Sequence, residues 1–254
     1  IMDFLNPGML GTEPEFRTWC REHLTDADIA PLRQRVGPFI LRRLKTDPVI
    51  ALDLPQKMEM TVFCGMTTPQ SDLYGRTYAN MLAEFAAADS AGRQGVAFKV
   101  LLRLKQVCDH PDLLDRGRFD PRASGKFIRL AELAATIAER GEKVLVFTQF
   151  KAMTGPIAAH LEAVMQRSGA ILDGELPVKR RQELVEDFQN GDRLSFLVLT
   201  FGVGGTGFNL TAACHVILFD RWWNPAVESQ AMDRAFRIGQ TKGVIVHKFV
   251  CRGT

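Results

Sequence analysis

From residue 124 onward, short apolar runs alternate with amphipathic stretches, and no other feature of this 254-residue chain narrows its fold as far. Residues 143–148, 170–173, 194–200, 215–220 and 244–250 read as strands. Ser124 is the expected N-cap of a helix running to about residue 140. Further helices are expected over 153–166, with Pro156 near its start, and over 177–189 and 225–238. Strands that alternate with helices imply a parallel sheet, because each parallel pair needs a crossover connection, and the crossover helices cover both faces. In such sheets the chemistry gathers at the carboxyl ends of the strands.

The first 123 residues follow no such rhythm. Asn6-Pro7-Gly8 and Gly11-Thr12-Glu13-Pro14 interrupt short amphipathic stretches whose inward positions include Phe16, Trp19, Leu24, Ile29 and Leu32. Residues 58–63 read as a strand, and 70–88 as a long helix with Leu73, Tyr74, Tyr78, Met81, Leu82 and Phe85 on one stripe. A helix over 96–107 then carries Lys99, Arg103 and Lys105. The expected division is a mainly helical region, 1–123, ahead of an α/β region, 124–254. A net charge of +3 is too small to argue for a nucleic-acid partner by itself, so local clusters must carry that case.

Five cysteines, widely spread and without a CxxC pair, indicate neither a disulfide framework nor a zinc site, and they fit a reducing cytoplasm. Cys108 and His110 stand two apart, but no second pair follows at ligand spacing, so Asp109-His110 reads as a helix-end turn and no metal site is expected. No apolar run approaches the ~20 residues of a membrane helix. Ile1-Met2-Asp3-Phe4 is no signal peptide, and no membrane partner is expected. The chain opens without an initiator methionine and stops at Gly253-Thr254 straight after a strand-like run, so a piece of a longer protein is expected.

Polar residues concentrate where strand ends should lie. On a helix Gln230, Arg234 and Arg237 would share one side, with Ala231, Ala235 and Ile238 packed on the other. Two guanidiniums on adjacent turns make a fork for an oxyanion cluster, such as the charge on a transferring phosphoryl group. Asp233 is placed to orient one of them, and Gly239 to end the helix. A solvated charged face has the same spacing, and that reading stays open.

The loop 201–209 contains a formal GxGxxG at Gly202, Gly204 and Gly207. The seven residues before His215 cannot hold a crossover helix, so a dinucleotide site is excluded. The loop is either a set of backbone amides that approaches phosphate oxygens or a tight turn needing positive φ. Thr148-Gln149, Asp173-Gly174 and Thr200 line up small polar groups suited to a phosphodiester backbone, and Lys179-Arg180-Arg181 adds charge nearby. Trp222-Trp223-Asn224-Pro225 sets paired indoles at a strand-to-helix turn. Either both pack under the loop or one stacks on a sugar or base.

Six stretches together carry a resemblance: 41–45 (Leu41-Arg42-Arg43-Leu44-Lys45), 106–111, 144–150, 172–174, 204–210 and 230–240. With them in view, nearly the whole chain resembles the C-terminal half of a Swi/Snf-type helicase-like ATPase, one of the superfamily two DNA translocases. Trp223-Asn224-Pro225 and 230–240 are its most specific parts. The resemblance implies a RecA-like lobe over 124–254, preceded by helical insertions and an inter-lobe linker that includes 41–45. It further implies that ATP with Mg2+ is clamped between this lobe and a first RecA-like lobe of the same protein while the pair walks along double-stranded DNA. Residue by residue, Arg234 and Arg237 would be arginine fingers with Gln230 beside them. Gly204, Gly205 and Gly207 would couple nucleotide to DNA. Thr148, Gln149, Thr200 and Trp223 would lie along the DNA, with Arg180 near it. Other DNA-bound proteins are implied partners of a remodeller, in the bacterial nucleoid or the eukaryotic nucleus.

The sequence also departs from the complete family pattern. It contains neither a GxxxxGK[ST] phosphate loop nor an acidic metal-binding box, and it does not reach the bracing segment that usually follows the last strand. The expectation is a motor lobe that does not hydrolyse ATP alone. A nucleotide-independent nucleic-acid-binding module and a protein-interaction scaffold built on 1–120 are the other readings the residues leave open.

Overall fold

A computed structural model describes residues 5–22, 25–40, 56–87, 89, 92–115, 117, 119–204, 207–237, 239–240 and 242–254. Residues 1–4, Leu24, 41–45, Gly205 and Ile238, named above, lie outside the described residues. The chain divides into two compact units, 1–52 and 53–254. In the first, helices α1 (Glu13–Glu22) and α2 (Asp26–Val36) precede a 3-10 turn, Gly37–Phe39. Thr12 precedes α1, and its amide and hydroxyl both donate to Glu15 Oε2, at 2.8 and 2.7 Å, which supplies the carboxylate half of a capping box.

The second unit holds six strands, β1 (Lys57–Cys64), β2 (Val144–Thr148), β3 (Gly169–Leu172), β4 (Phe196–Thr200), β5 (His215–Leu218) and β6 (Val244–Cys251). They form one sheet in the order β1-β6-β5-β2-β4-β3, and every neighbouring pair is parallel. The expected parallel α/β sheet is thus present, and β1, from the region before residue 124, pairs with β6 at one edge. The boundary expected at residue 124 falls inside this unit, between the 3-10 turn Pro121–Ala123 and the next helix.

Helices α3 (Thr68–Ala87) and α4 (Gly92–Asp109) come before that point. Helices α5 (Gly125–Glu139), α6 (Lys151–Met165), α7 (Val178–Asn190) and α8 (Pro225–Met232) come after it. Strand side chains alternate between the faces, and both faces are apolar. Leu145, Phe147, Leu197 and Leu199 pack with Leu184 and Phe188 of α7 and with Ala231 and Met232 of α8. On the other face Val144, Val146, Phe196 and Val198 pack with Phe127 and Leu130 of α5 and with Ile157 and Leu161 of α6. Helices therefore cover both sides, and polar groups collect at the strand ends.

Two expected helix ends differ. Ser124 occupies the N-cap of α5 but makes no cap bond, because its hydroxyl donates to the Asp109 carbonyl at 2.6 Å, tying α4 to α5. The helix expected over 225–238 stops as an α-helix at Met232. Beyond it the Arg234 and Ala235 amides bond three residues back, to Ala231 and Met232, and the Arg234 carbonyl accepts from the Leu210 amide at 2.9 Å. A long-range backbone bond takes the acceptor that a continuing helix would use, and the chain turns away, with Gly239 at φ +98°.

Candidate functional site

At the carboxyl ends of β2 and β5, Asp220 acts as a clasp. Its carboxylate accepts from the Thr148 hydroxyl at 2.6 Å and from the Gln149 amide at 2.8 and 3.0 Å. Asp220 is 1% exposed, and burial pushes its carboxyl up while Lys126 and the Thr148 hydrogen bond oppose the rise. Thr148 is itself buried and lies beside Thr200 in the sheet register, with Thr200 partly covered at the end of β4. The Thr148 hydroxyl is spent on Asp220, so the group facing outward at this strand end is the partly covered Gln149.

Lys105, read from sequence only as one of three cations on a helix, reaches this edge from α4. Its ammonium donates to Gln149 Oε1 and, at 2.6 Å, to the Arg221 carbonyl, which is 116 residues away in sequence. It also lies 4.8 Å from the centre of the Trp223 ring, within cation–π range. Burial holds its pKa below the ordinary lysine value. Only an amphipathic fit of α4 against the β5 end could have revealed it, and no local motif encodes that.

The turn after β5 is held by Glu228 of α8. This buried carboxylate takes two hydrogen bonds from the Arg221 guanidinium, both 2.7 Å, and one from the Trp222 amide at 2.8 Å. Asn224 caps α8 by accepting from the Ala226 amide at 3.0 Å, with Pro225 next in line. The two indoles part company. Trp222 packs on Phe201 in the core, whereas Trp223 is 50% exposed with Phe98 against its edge.

Arg234 and Arg237 sit just past α8. The Arg234 Nε is buried without a hydrogen-bond partner, and its pKa is lowered by burial and then by the neighbouring Arg237 charge. The exposed Arg237 donates to the Asn209 side chain, and Leu210 binds the Arg234 backbone, so the loop after β4 is fastened to the arginine turn at two adjacent residues. That loop begins with a helical turn, Phe201–Gly204, and Gly207 is exposed with open space where a Cβ would sit. Beyond that turn no helix intervenes before β5 among the described residues.

The structure thus gathers the expected residues into two groups, one of Thr148, Gln149, Thr200 and Trp223 around Asp220 and Lys105, the other of Arg234 and Arg237 beside the loop. Gln230 is exposed on α8. Arg180 is exposed on α7 and pairs with Glu183 at 3.0 Å. Both ring nitrogens of His110 are engaged, one accepting from the Asp112 amide at 3.1 Å and the other 2.9 Å from the Asp120 carbonyl. That agrees with a turn.

Comparisons with known proteins follow this geometry. Residues 1–113 match the family described as SNF2-related domain, and 125–239 match Helicase conserved C-terminal domain. The chain is 39% identical over 261 residues to the Putative ATP-dependent helicase/translocase YwqA of Bacillus subtilis, covering all of this chain and 28% of that protein. It is 34% identical over 276 residues to the DNA excision repair protein CSB of Oryza sativa, covering all of this chain and 23% of that one. The chain therefore spans about a quarter of these curated relatives. Among solved structures, the Sulfolobus solfataricus SWI2/SNF2 ATPase core in complex with dsDNA aligns with a TM-score of 0.72 and 41% identity, over 100% of this chain and 54% of that one. The SWI2/SNF2 ATPase C-terminal domain of the same organism aligns at 0.68 and 38% identity, over 78% of this chain and 81% of that one.

Proposed function

Because the chain belongs to the SNF2 family of helicase-like ATPases, we propose that it is the second motor lobe of an ATP-dependent double-stranded DNA translocase. The observation that carries this reading is the Arg234 Nε, buried without a partner beside Arg237 on a turn fastened to the loop after β4. A buried guanidinium N–H left without an acceptor is costly unless an anion supplies one. Phosphates of ATP bound on the first lobe are the anion this reading supplies.

The residues present fit that part of an ATP site and no more. Arg234 and Arg237 face developing phosphoryl charge, with Gln230 one turn back on α8. Groups that would grip the phosphates and Mg2+ belong to the first lobe, since the sequence has no phosphate loop. ATP hydrolysis supplies the driving force. Gln149, Thr200, Trp223 and Arg180 contact the DNA backbone, and Thr148 holds the β2 end against Asp220. Gly204, Gly205 and Gly207 of the 201–210 segment couple nucleotide to DNA in this scheme, and the far end of the segment, Asn209-Leu210, is bonded to the arginine turn. The isolated chain is inactive in ATP hydrolysis.

The test measures ATP turnover and DNA binding together in the complete protein. Arg234→Ala and Arg237→Ala each lower DNA-stimulated hydrolysis by about a thousandfold, the scale of an arginine finger, while double-stranded DNA binding persists. Intact turnover with weakened DNA binding would assign both arginines to DNA phosphates and overturn the motor role.

A further inference from the structure

The amino-terminal edge of the sheet, at the opposite strand ends from the groups above, carries a cluster that the proposed function does not use. Glu142 lies two residues ahead of β2, and Cys214 and His215 lie where β5 begins. His215 Nε2 is 2.7 Å from Glu142 Oε2. One donor atom from each of Glu142, Cys214 and His215 lies within 4.8 Å of the other two. Cys214 and His215 are each 4% exposed, and Glu142 is only partly covered, so the cluster opens to solvent on its carboxylate side.

A second observation concerns the far side of the His215 ring. His215 Nδ1 is 3.1 Å from His247 Nε2 of β6, and the two rings stack with centres 5.3 Å apart. A histidine that binds a metal through Nε2 carries its proton on Nδ1 and donates it to an orienting group. His247 Nε2 is the acceptor in place. The buried His247 Nδ1 has no hydrogen-bond partner, so of the groups around the pair only the Glu142 carboxylate, which holds the His215 proton on Nε2 while no metal is bound, sets its tautomer.

We propose that Glu142, Cys214 and His215 form a binding site for a divalent transition metal, zinc above all, with water as the fourth ligand. Sulfur, imidazole nitrogen and carboxylate oxygen together suit zinc, whereas the thiolate disfavours the hard cations magnesium and calcium. Tetrahedral bonds of about 2.0–2.3 Å place donors roughly 3.3–3.7 Å apart. The cluster reaches this by parting His215 from Glu142 by less than about 1 Å and drawing the sulfur inward. Binding releases the Cys214 thiol proton to solvent and replaces the histidine–carboxylate hydrogen bond by two metal bonds, while the His215 proton passes from Nε2 to Nδ1 and that of His247 from Nε2 to Nδ1, so that His247 Nε2 accepts. It joins the approach to β2 with the start of β5, which pair directly, and so adds to stability.

The experiment uses the 254-residue chain freed of metal by a chelator and titrated with zinc and, separately, cobalt. One equivalent of zinc is expected to bind and raise the melting temperature, and cobalt to give thiolate-to-metal charge-transfer absorption. Cys214→Ser abolishes that absorption. Glu142→Gln, the least buried change, weakens zinc affinity at least about tenfold while the metal-free protein melts as the parent does. Absence of zinc uptake would overturn the site. So would uptake unchanged in both variants, or a charge-transfer band that disappears in Cys108→Ser or Cys20→Ser instead.

Discussion

Asn209 is the residue through which the loop after β4 bears on Arg237, since its side-chain oxygen accepts from the guanidinium while the next amide, of Leu210, binds the Arg234 carbonyl. Asn209 touches neither nucleotide nor DNA in the proposed scheme, and it acts by fixing where the Arg237 charge is presented. Misplacing a charge by about 1 Å costs up to about a hundredfold in rate. In the complete protein, Asn209→Ala is therefore expected to lower kcat of DNA-stimulated ATP hydrolysis about tenfold to a hundredfold, with DNA affinity unchanged. Asn209→Asp, which keeps an acceptor, restores most of the rate. A loss confined to DNA affinity would show that the bond serves the DNA side. The sequence marked both arginines by helical spacing, yet the structure places them past the end of α8. Residue identity carried that information and periodicity did not, because the bond that ends the helix comes from a distant loop.

At the scale of elements, the join between α4 and α5 rests on charges that no sequence pattern reveals. Asp109 at the end of α4 and Lys126 in the first turn of α5 are 0% and 4% exposed, and they pair at 2.6 Å with the second Asp109 oxygen unpartnered. Burial opposes both charges and pushes the Asp109 carboxyl well up, yet Asp109, then Cys251 and Asp220, hold the Lys126 pKa above its ordinary value. Breaking a buried pair leaves one ion uncompensated and costs about 3–5 kcal/mol. Lys126→Met should destabilise the chain by about that amount in urea unfolding, and adding Asp109→Leu should recover most of it. A single variant as stable as the parent would show that Asp109 is neutral in the fold. The strands were legible to within two residues, because apolar runs such as 144–148 are bounded by polar residues and both faces are buried. Ser124 was legible as a helix start and not as a tether to Asp109, and Lys105 only as one of three cations on a helix. Each is decided by a partner far along the chain, and local spacing holds no trace of it.

On the scale of the whole molecule, the division into 1–52 and 53–254 places the complete sheet in the second unit. That unit depends on a strand that precedes the α/β alternation. β1 pairs with β6 through eight residues, from Lys57 with Val244 to Cys64 with Cys251, and covers an edge that would otherwise present unpaired amides and carbonyls. Val62 and Cys64 are 8% and 2% exposed, with Val62 packed in the core around Phe127 and Phe249. Burying two such side chains contributes about 3–5 kcal/mol, or roughly 10 °C of melting temperature for a unit of this size. A chain of residues 53–254 should therefore melt within a few degrees of the parent with the same far-ultraviolet circular dichroism per strand and helix. A chain of residues 66–254, lacking β1, should melt roughly 10 °C lower and associate through the bared edge of β6, seen as concentration-dependent light scattering. Equal melting of the two truncated chains would show that β1 adds nothing to the sheet.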